Sequence, residues 1–359
     1  MNFFEHQERS RRQTRWLVFL FLLAVLAIIA VIDIAILLAF GAMNVEQQGW
    51  AAPDTLQSNW TLLAGGAFVT ALVIALASLF KTMALRSGGG KVARDLGGSR
   101  VEADERDPLR RRLYNVVEEI ALASGVPVPE VYVLERESAI NAFAAGYTPA
   151  DAAVAVTRGA LEKLDRNELQ GVIAHEFSHV FNGDMRLNIR LMGALFGILV
   201  LSLIGRKVLR GSLYAGRSRN SNGAPVMLIA VAVTLVGYIG LFFGRWIKSA
   251  VSRQREYLAD ASAVQFTRDP DGIAGALKKI AVYSDASYLN AETEEVSHML
   301  FGAGEKASMF ATHPPLNDRI GRIDPSFDPA DLTRLAADIQ RKQRAQEEKK
   351  ARKRARAAQ

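Results

Sequence analysis

Two apolar runs near the amino terminus, Trp16 to Phe40 and Trp60 to Phe80, constrain this chain more than any other feature. Each is long enough to cross about 30 Å of hydrocarbon, where a segment has no water to bond with and must close its own hydrogen bonds as a helix. The first run is interrupted by Asp33 alone and is too long for the apolar core of a cleaved signal peptide. Asp33 is costly in lipid, so it is expected to pair within the bundle or to mark a functional contact. Trp50 and Trp60 stand near the start of the second run, as interfacial anchors do. Arg9, Arg11, Arg12 and Arg15 precede the first run, and Lys81, Arg86, Lys91 and Arg94 follow the second, whereas residues 41–59 hold no Lys or Arg. Under the positive-inside rule both ends of this hairpin, and the domain after it, face the cytoplasm.

The chemistry lies further along. His175-Glu176-Phe177-Ser178-His179 sets two histidines four apart, about 40° from each other on one helical face, where both can grip one Zn²⁺. Glu176 then stands beside the metal's open position, where a general base is needed. The chain has only five His, so chance pairing around a Glu explains this poorly, although two surface histidines on an ordinary helix would read the same. Asp165 as N-cap with Glu168 three residues on, followed by Leu169, Val172, Ile173, Phe177 and Val180, predicts a capped amphipathic helix over about 166–182. Its ends carry Arg166, Glu168, Gln170, Asn182 and Asp184, which predicts a wetted site rather than one inside the bilayer.

A catalytic zinc site usually takes three protein side chains and leaves one position open. Cys is absent, so the third ligand must be His or a carboxylate, and a disulfide framework is excluded. Glu256 and Asp260 are i,i+4 neighbours in a helical stretch of about Lys248 to Phe266. Glu256 fits as the ligand, with Asp260 behind it to orient an imidazole through its other nitrogen. The alternative is an exposed acidic pair beside Arg253 and Arg255.

The stretch HEFSHVFNGD, then REYLAD, then Thr312-His313-Pro314-Pro315 with Arg319-Ile320 resembles the M48 family of membrane-associated zinc metallopeptidases, and within it the HtpX-like heat-shock proteases. The likeness, with the amino-terminal hairpin, covers nearly the whole chain to about residue 325. It implies that His175, His179 and Glu256 are zinc ligands, Glu176 the catalytic base and Asp260 the residue behind a ligand. It also implies that His313 and Arg319 lie by the substrate and the developing oxyanion. For His313, which stands before two prolines at a helix entry, helix capping is the other reading.

Two more apolar runs, 191–204 and 226–247, separate the His pair from Glu256. The ligands must meet on one side of the bilayer, so both runs cross or neither does. Crossing would put Arg206, Lys207, Arg210, Arg217 and Arg219 outside, against the charge rule, and the first run is short for a span. Full crossing and a shallow re-entrant hairpin therefore both stand, and either keeps the site cytoplasmic, near the membrane surface.

The remaining organisation reads as a hairpin over 1–82, a linker over 83–106 opened by Gly88-Gly89-Gly90, a peptidase domain over 107–325 and a basic tail over 326–359. The domain opens with a helix from Pro108 to about Ser124, stopped by Gly125. Strands are predicted over 130–134, 140–144 and 152–156. A strand just before a zinc helix can offer its edge to an extended peptide, so Asn141, Ala142, Phe143 and Ala144 are candidates for substrate pairing, with an ordinary sheet strand as the alternative. Residues 289–309 suggest a loop over the cleft, with His298 a packing or surface residue. The tail, 341–359, reads as a solvated helix or disordered arm attracted to anionic lipid. No aromatic residue interleaves its charges, which argues against nucleic acid as a partner.

The fold class expected is mostly α with a small antiparallel β-sheet, a zincin-like domain, plus transmembrane helices. The function expected is a Zn²⁺-dependent endopeptidase with one zinc per chain, in a bacterial inner membrane, facing the cytoplasm. Its partners would be the bilayer and protein substrates, misfolded membrane proteins by the family resemblance. A CAAX-type protease is disfavoured, because it resembles bundles of seven spans and this chain offers four at most. A membrane sensor or scaffold with a structural zinc is the other class, and it has no use for Glu176.

Overall fold

The computed structural model describes residues 3–48, 60–215, 223–284 and 311–357. In chain order its elements are α1 (Phe3–Gln48), α2 (Trp60–Ala84), α3 (Gly89–Asp95), β1 (Ser99–Val101), α4 (Pro108–Ser124), β2 (Glu130–Leu134), β3 (Ala142–Ala145) and β4 (Ala153–Thr157). There follow α5 (Arg158–Lys163), α6 (Arg166–Asn182), α7 (Asp184–Ala215), α8 (Gly223–Thr267), α9 (Pro270–Ser284), α10 (Leu316–Ile323) and α11 (Ala330–Ala357). Two compact units emerge: Met1–Ser10 with Gly88–Met185 and Arg253–Gln359, and Arg11–Ser87 with Arg186–Ser252. Trp50, His298 and the whole of the expected loop over 289–309 lie outside the described residues.

The second unit is helical. Among the described residues, four helices contain stretches long and apolar enough to cross a membrane: Arg12–Ala39, Trp60–Ala84, Asp184–Gly211 and Val226–Thr267. The run over 191–204, short when counted between polar residues, is thus part of a much longer helix. A helix satisfies its own backbone and need not stop at Ser202 or Gly205. By length both central helices can cross, so the shortness that favoured a shallow hairpin disappears. Phe21, Ile28, Ile74, Leu195, Ile198 and Leu241 form the unit's interior, while Leu22, Leu26, Phe68, Leu76 and Phe80 stay exposed, as lipid-facing side chains would be. Lipid gives no hydrophobic reward for helix contact, so close approach of small residues matters. At Gly197 an added Cβ would stand 2.5 Å from Ser78 Oγ and 2.6 Å from the Ile74 carbonyl, so α7 and α2 touch backbone to backbone. No partner for the buried Asp33 Oδ1 is found among the described residues; it lies 2.9 Å from where a Cβ on Gly66 would be.

In the other unit a four-stranded sheet has the order β1-β2-β4-β3. The expected sheet is present, but mixed rather than wholly antiparallel. β1 and β3 are antiparallel edges, while β2 and β4 run parallel at the centre. The β3–β4 hairpin inserts its all-buried strand Ala153–Thr157 next to β2, which removes the apolar Ala-Val alternation from water on both faces. Val131, Val133, Val154 and Val156 face a core shared with Leu113, Val117, Leu169 and Phe177 of α4 and α6. Tyr132, Phe143, Ala153 and Ala155 face the opposite side, with Ala93 of α3.

That second face corrects the linker assignment of 83–106. Residues 89–101 form α3 and β1, which are parts of the sheet layer. A Cβ on Gly89 would lie 2.3 Å from the Ala145 carbonyl oxygen, so this glycine serves close approach rather than flexibility. Of the two readings of the tail, a solvated helix or a disordered arm, the helix is the one present, since α11 runs through Ala357.

Candidate metal centre

The helix carrying the histidines begins at a reciprocal capping box, with Asp165 accepting from Glu168 N–H and Glu168 accepting from Asp165 N–H. It ends at Gly183, whose φ of 68° is left-handed and available to glycine without strain. Phe177 and Ile173, both fully buried, anchor its inner face, and each such side chain contributes about 1.5–3 kcal/mol. His175, one turn before His179, is thereby fixed in depth as well as direction.

His175 Nε2 and His179 Nε2 converge to 3.2 Å. From α8, Glu256 approaches both: Oε2 is 3.6 Å from His175 Nε2 and Oε1 is 3.5 Å from His179 Nε2. Two ligand atoms held about 2.0–2.1 Å from one ion at the tetrahedral angle are separated by about 3.3 Å, so these spacings suit a single zinc-sized cation. His175 Nδ1 lies 2.9 Å from Asp260 Oδ1 and His179 Nδ1 lies 2.8 Å from Asp184 Oδ2. With those Nδ1 atoms donating to carboxylates, both Nε2 lone pairs point to the shared centre. Charge agrees. Among the described residues, Glu176, Glu256, Asp184 and Asp260 are met by Arg255 and Arg319 as permanent cations, an excess of two negative charges that one divalent cation would balance.

Glu176 is buried, and its carboxyl pKa is raised by that burial against the pull of both histidines; it also accepts a hydrogen bond from Ala144 N–H. A carboxylate held less acidic than usual is suited to taking up a proton. Burial disfavours a charge on His179, yet the Asp184 hydrogen bond and the Glu256, Asp184 and Glu176 carboxylates push its pKa up to about 9.

Arg319, on α10, has no exposure to solvent and donates to Asp260 at 2.6 and 2.9 Å, with Nη1 3.1 Å from Glu256 Oε2. Its pKa is raised, although burial opposes the charge, by those two carboxylates. In this structure the Arg319 donors are turned to Asp260, behind His175, and to Glu256. His313 lies beside Glu256, Nδ1 to Oε2 3.0 Å, and remains part of the site.

Strand β3 is a sheet edge next to this helix. Thr157 N–H donates to the Asn141 carbonyl at 3.0 Å, which makes Asn141, and by alternation Phe143, residues whose backbone turns inward to β4. Ala142 and Ala144 turn their backbone outward. Of the candidates Asn141, Ala142, Phe143 and Ala144, Ala142 and Ala144 present their own backbone at the free edge, and the Ala142 N–H is held by Asn141 Oδ1 at 2.9 Å. The Phe143 ring is core. Asp184 was not expected as a site residue from the sequence, whereas Ala144 was among the candidates for substrate pairing. The signal for Asp184 was its place in HEFSHVFNGD.

Comparison with known proteins agrees with this arrangement. Residues 108–326 match the model of peptidase family M48. A protease HtpX homolog of Thermoanaerobacter pseudethanolicus is 42% identical over 228 residues, 59% of this chain and 70% of that one. Similar proteins, both described as protease HtpX homologs, occur in Listeria monocytogenes (41% over 233 residues, 62% and 75%) and Dictyoglomus thermophilum (37% over 222 residues, 61% and 71%). Two histidines on a capped helix that meet Glu256 of α8 in a group able to hold a metal, a carboxylate beside them, four membrane-length helices among the described residues and a family match over most of the catalytic unit leave one conclusion: this chain is an HtpX-like membrane metalloendopeptidase and belongs to peptidase family M48.

Proposed function

We propose that the chain is a zinc endopeptidase of a bacterial plasma membrane, acting from the cytoplasmic side on misfolded or damaged membrane proteins. The observation that carries this reading is the convergence of His175 Nε2, His179 Nε2 and Glu256 on one point with Glu176 beside it. His175, His179 and Glu256 would hold the metal, which when bound supplies a Lewis acid for the peptide carbonyl and for water. Glu176 takes the proton of the attacking water and passes it to the departing amine. Its raised pKa keeps it basic enough to accept and acidic enough to return that proton. Ala142 and Ala144 offer the outward edge of β3 to an extended substrate strand, and pairing there would release Ala144 N–H from Glu176. Asp260 orients His175, Arg319 holds Asp260 and Glu256, and His313, beside Glu256, would donate to the carbonyl oxygen as charge develops.

The test is protein purified in detergent, assayed for zinc content and for cleavage of an unfolded protein. Glu176→Gln should keep about one zinc per chain and lose activity by several orders of magnitude, because the amide retains the shape and lacks the base. Near-normal turnover in that variant would remove Glu176 from the mechanism.

A further inference from the structure

Both imidazoles of the metal centre have the same kind of support. His175 meets Asp260, which is held by Arg319. His179 meets Asp184, and Asp184 is held by Arg255. Asp184 is buried and uses different oxygens for its two partners: Oδ2 lies 2.8 Å from His179 Nδ1, while Oδ1 accepts from Arg255. Arg255 Nη2 also donates to the Asn182 carbonyl at 2.8 Å, which ties it to the last turn of α6. Left-handed Gly183 separates α6 from α7 and lets the Asp184 side chain come back to a histidine five residues earlier. Arg255 immediately precedes Glu256, so the segment that delivers the third ligand also clamps the carboxylate behind the second.

We propose that Asp184, clamped by Arg255, is a positioning residue that holds His179 as a metal ligand, so that HEFSHVFNGD and REYLAD lock each other into the binding geometry. This rests on the metalloprotease reading and adds a role for two residues outside the ligand trio. An acceptor at Nδ1 keeps the proton there, leaves Nε2 free for the metal and restricts ring rotation. Arg255 fixes the acceptor with a planar fork that Lys cannot reproduce. Were Asp184 only a counter-ion for Arg255, one oxygen aimed at His179 Nδ1 at 2.8 Å would have no purpose.

The experiment uses the full chain in detergent with Co²⁺ as probe, read by chelator competition and by the rise in melting temperature when cobalt is added. Wild type, His179→Ala, Asp184→Asn, Asp184→Ala and Arg255→Lys are compared. Cobalt affinity should fall about 10-fold in Asp184→Asn and Arg255→Lys and up to about 100-fold in Asp184→Ala, with a smaller cobalt-induced melting increment in each. A merely structural role would lower the melting temperature of the metal-free protein and leave the increment intact. The isosteric Asp184→Asn decides the matter if Asp184→Ala does not fold: a folded Asp184→Asn with wild-type affinity and increment overturns the proposal. Failure of the wild type to bind one cobalt per chain, or wild-type binding by His179→Ala, would instead strike the underlying metal reading.

Discussion

At the scale of single residues the centre is a balance of buried charge, and that balance decides what each substitution does. Arg319 is enclosed by two carboxylates and has no exposure to water. Its replacement by Ala should cost about 3–5 kcal/mol of stability, since Asp260 and Glu256 would remain buried without their cation. Arg319→Lys should rescue little, because an ammonium cannot serve Asp260 with two parallel donors while reaching Glu256. Urea denaturation of the purified protein measures this, and a loss below about 1 kcal/mol would contradict the assignment of Arg319 to holding the acids. Glu256→Ala is expected to lose metal as well as activity, because two imidazoles alone bind zinc far less tightly than two imidazoles and a carboxylate. Retention of one zinc per chain would mean that another residue supplies the third ligand.

At the scale of elements, α3 and α9 show how segments without chemistry keep the site in place. Gly89→Leu should dislodge α3, since even a Cβ there would meet the Ala145 carbonyl at 2.3 Å. Loosening that layer exposes the face formed by Tyr132 and Phe143 and should destabilise the unit by about 1–3 kcal/mol, seen as a lower thermal midpoint. α9 is joined to the end of α10 by Lys278 Nζ to Asp324 Oδ2 at 2.8 Å. The Lys278 hydrogen bond, followed by that of Ser326, lowers the Asp324 pKa to about 2 from an ordinary 3.8. Because the folded value is the depressed one, the contribution is complete above about pH 4 and disappears as pH falls toward 2. About 1 kcal/mol is expected after solvent screening. Asp324→Asn should flatten that part of the stability-against-pH curve, and an unchanged curve would show that the pair contributes nothing.

At the scale of the whole molecule, the positive-inside argument and the shared metal site make sidedness testable with single cysteines, for which the native chain gives no background. A cysteine at Thr55 should react with an impermeant thiol reagent in intact cells, and one at Ser99 only after lysis. Labelling of Ser212→Cys from outside would mean that α7 and α8 both cross; protection would mean that neither does. External labelling at Ser99 would overturn the cytoplasmic reading. The spans, the capped helix at 166–182, the His pair with its Glu and the pairing of Glu256 with Asp260 were legible in the sequence, because apolar length, helical period and ligand spacing are local along the chain. Tertiary structure alone decided the rest. Arg255 and Asp184 are 71 residues apart and Arg319 and Asp260 are 59 apart, and no local pattern marks such partners. The parallel β2–β4 pair, the outward turn of Ala142 and Ala144 and the use of Gly89 for contact depend on which surfaces meet, and burial and charge compensation settle that only when the chain is folded.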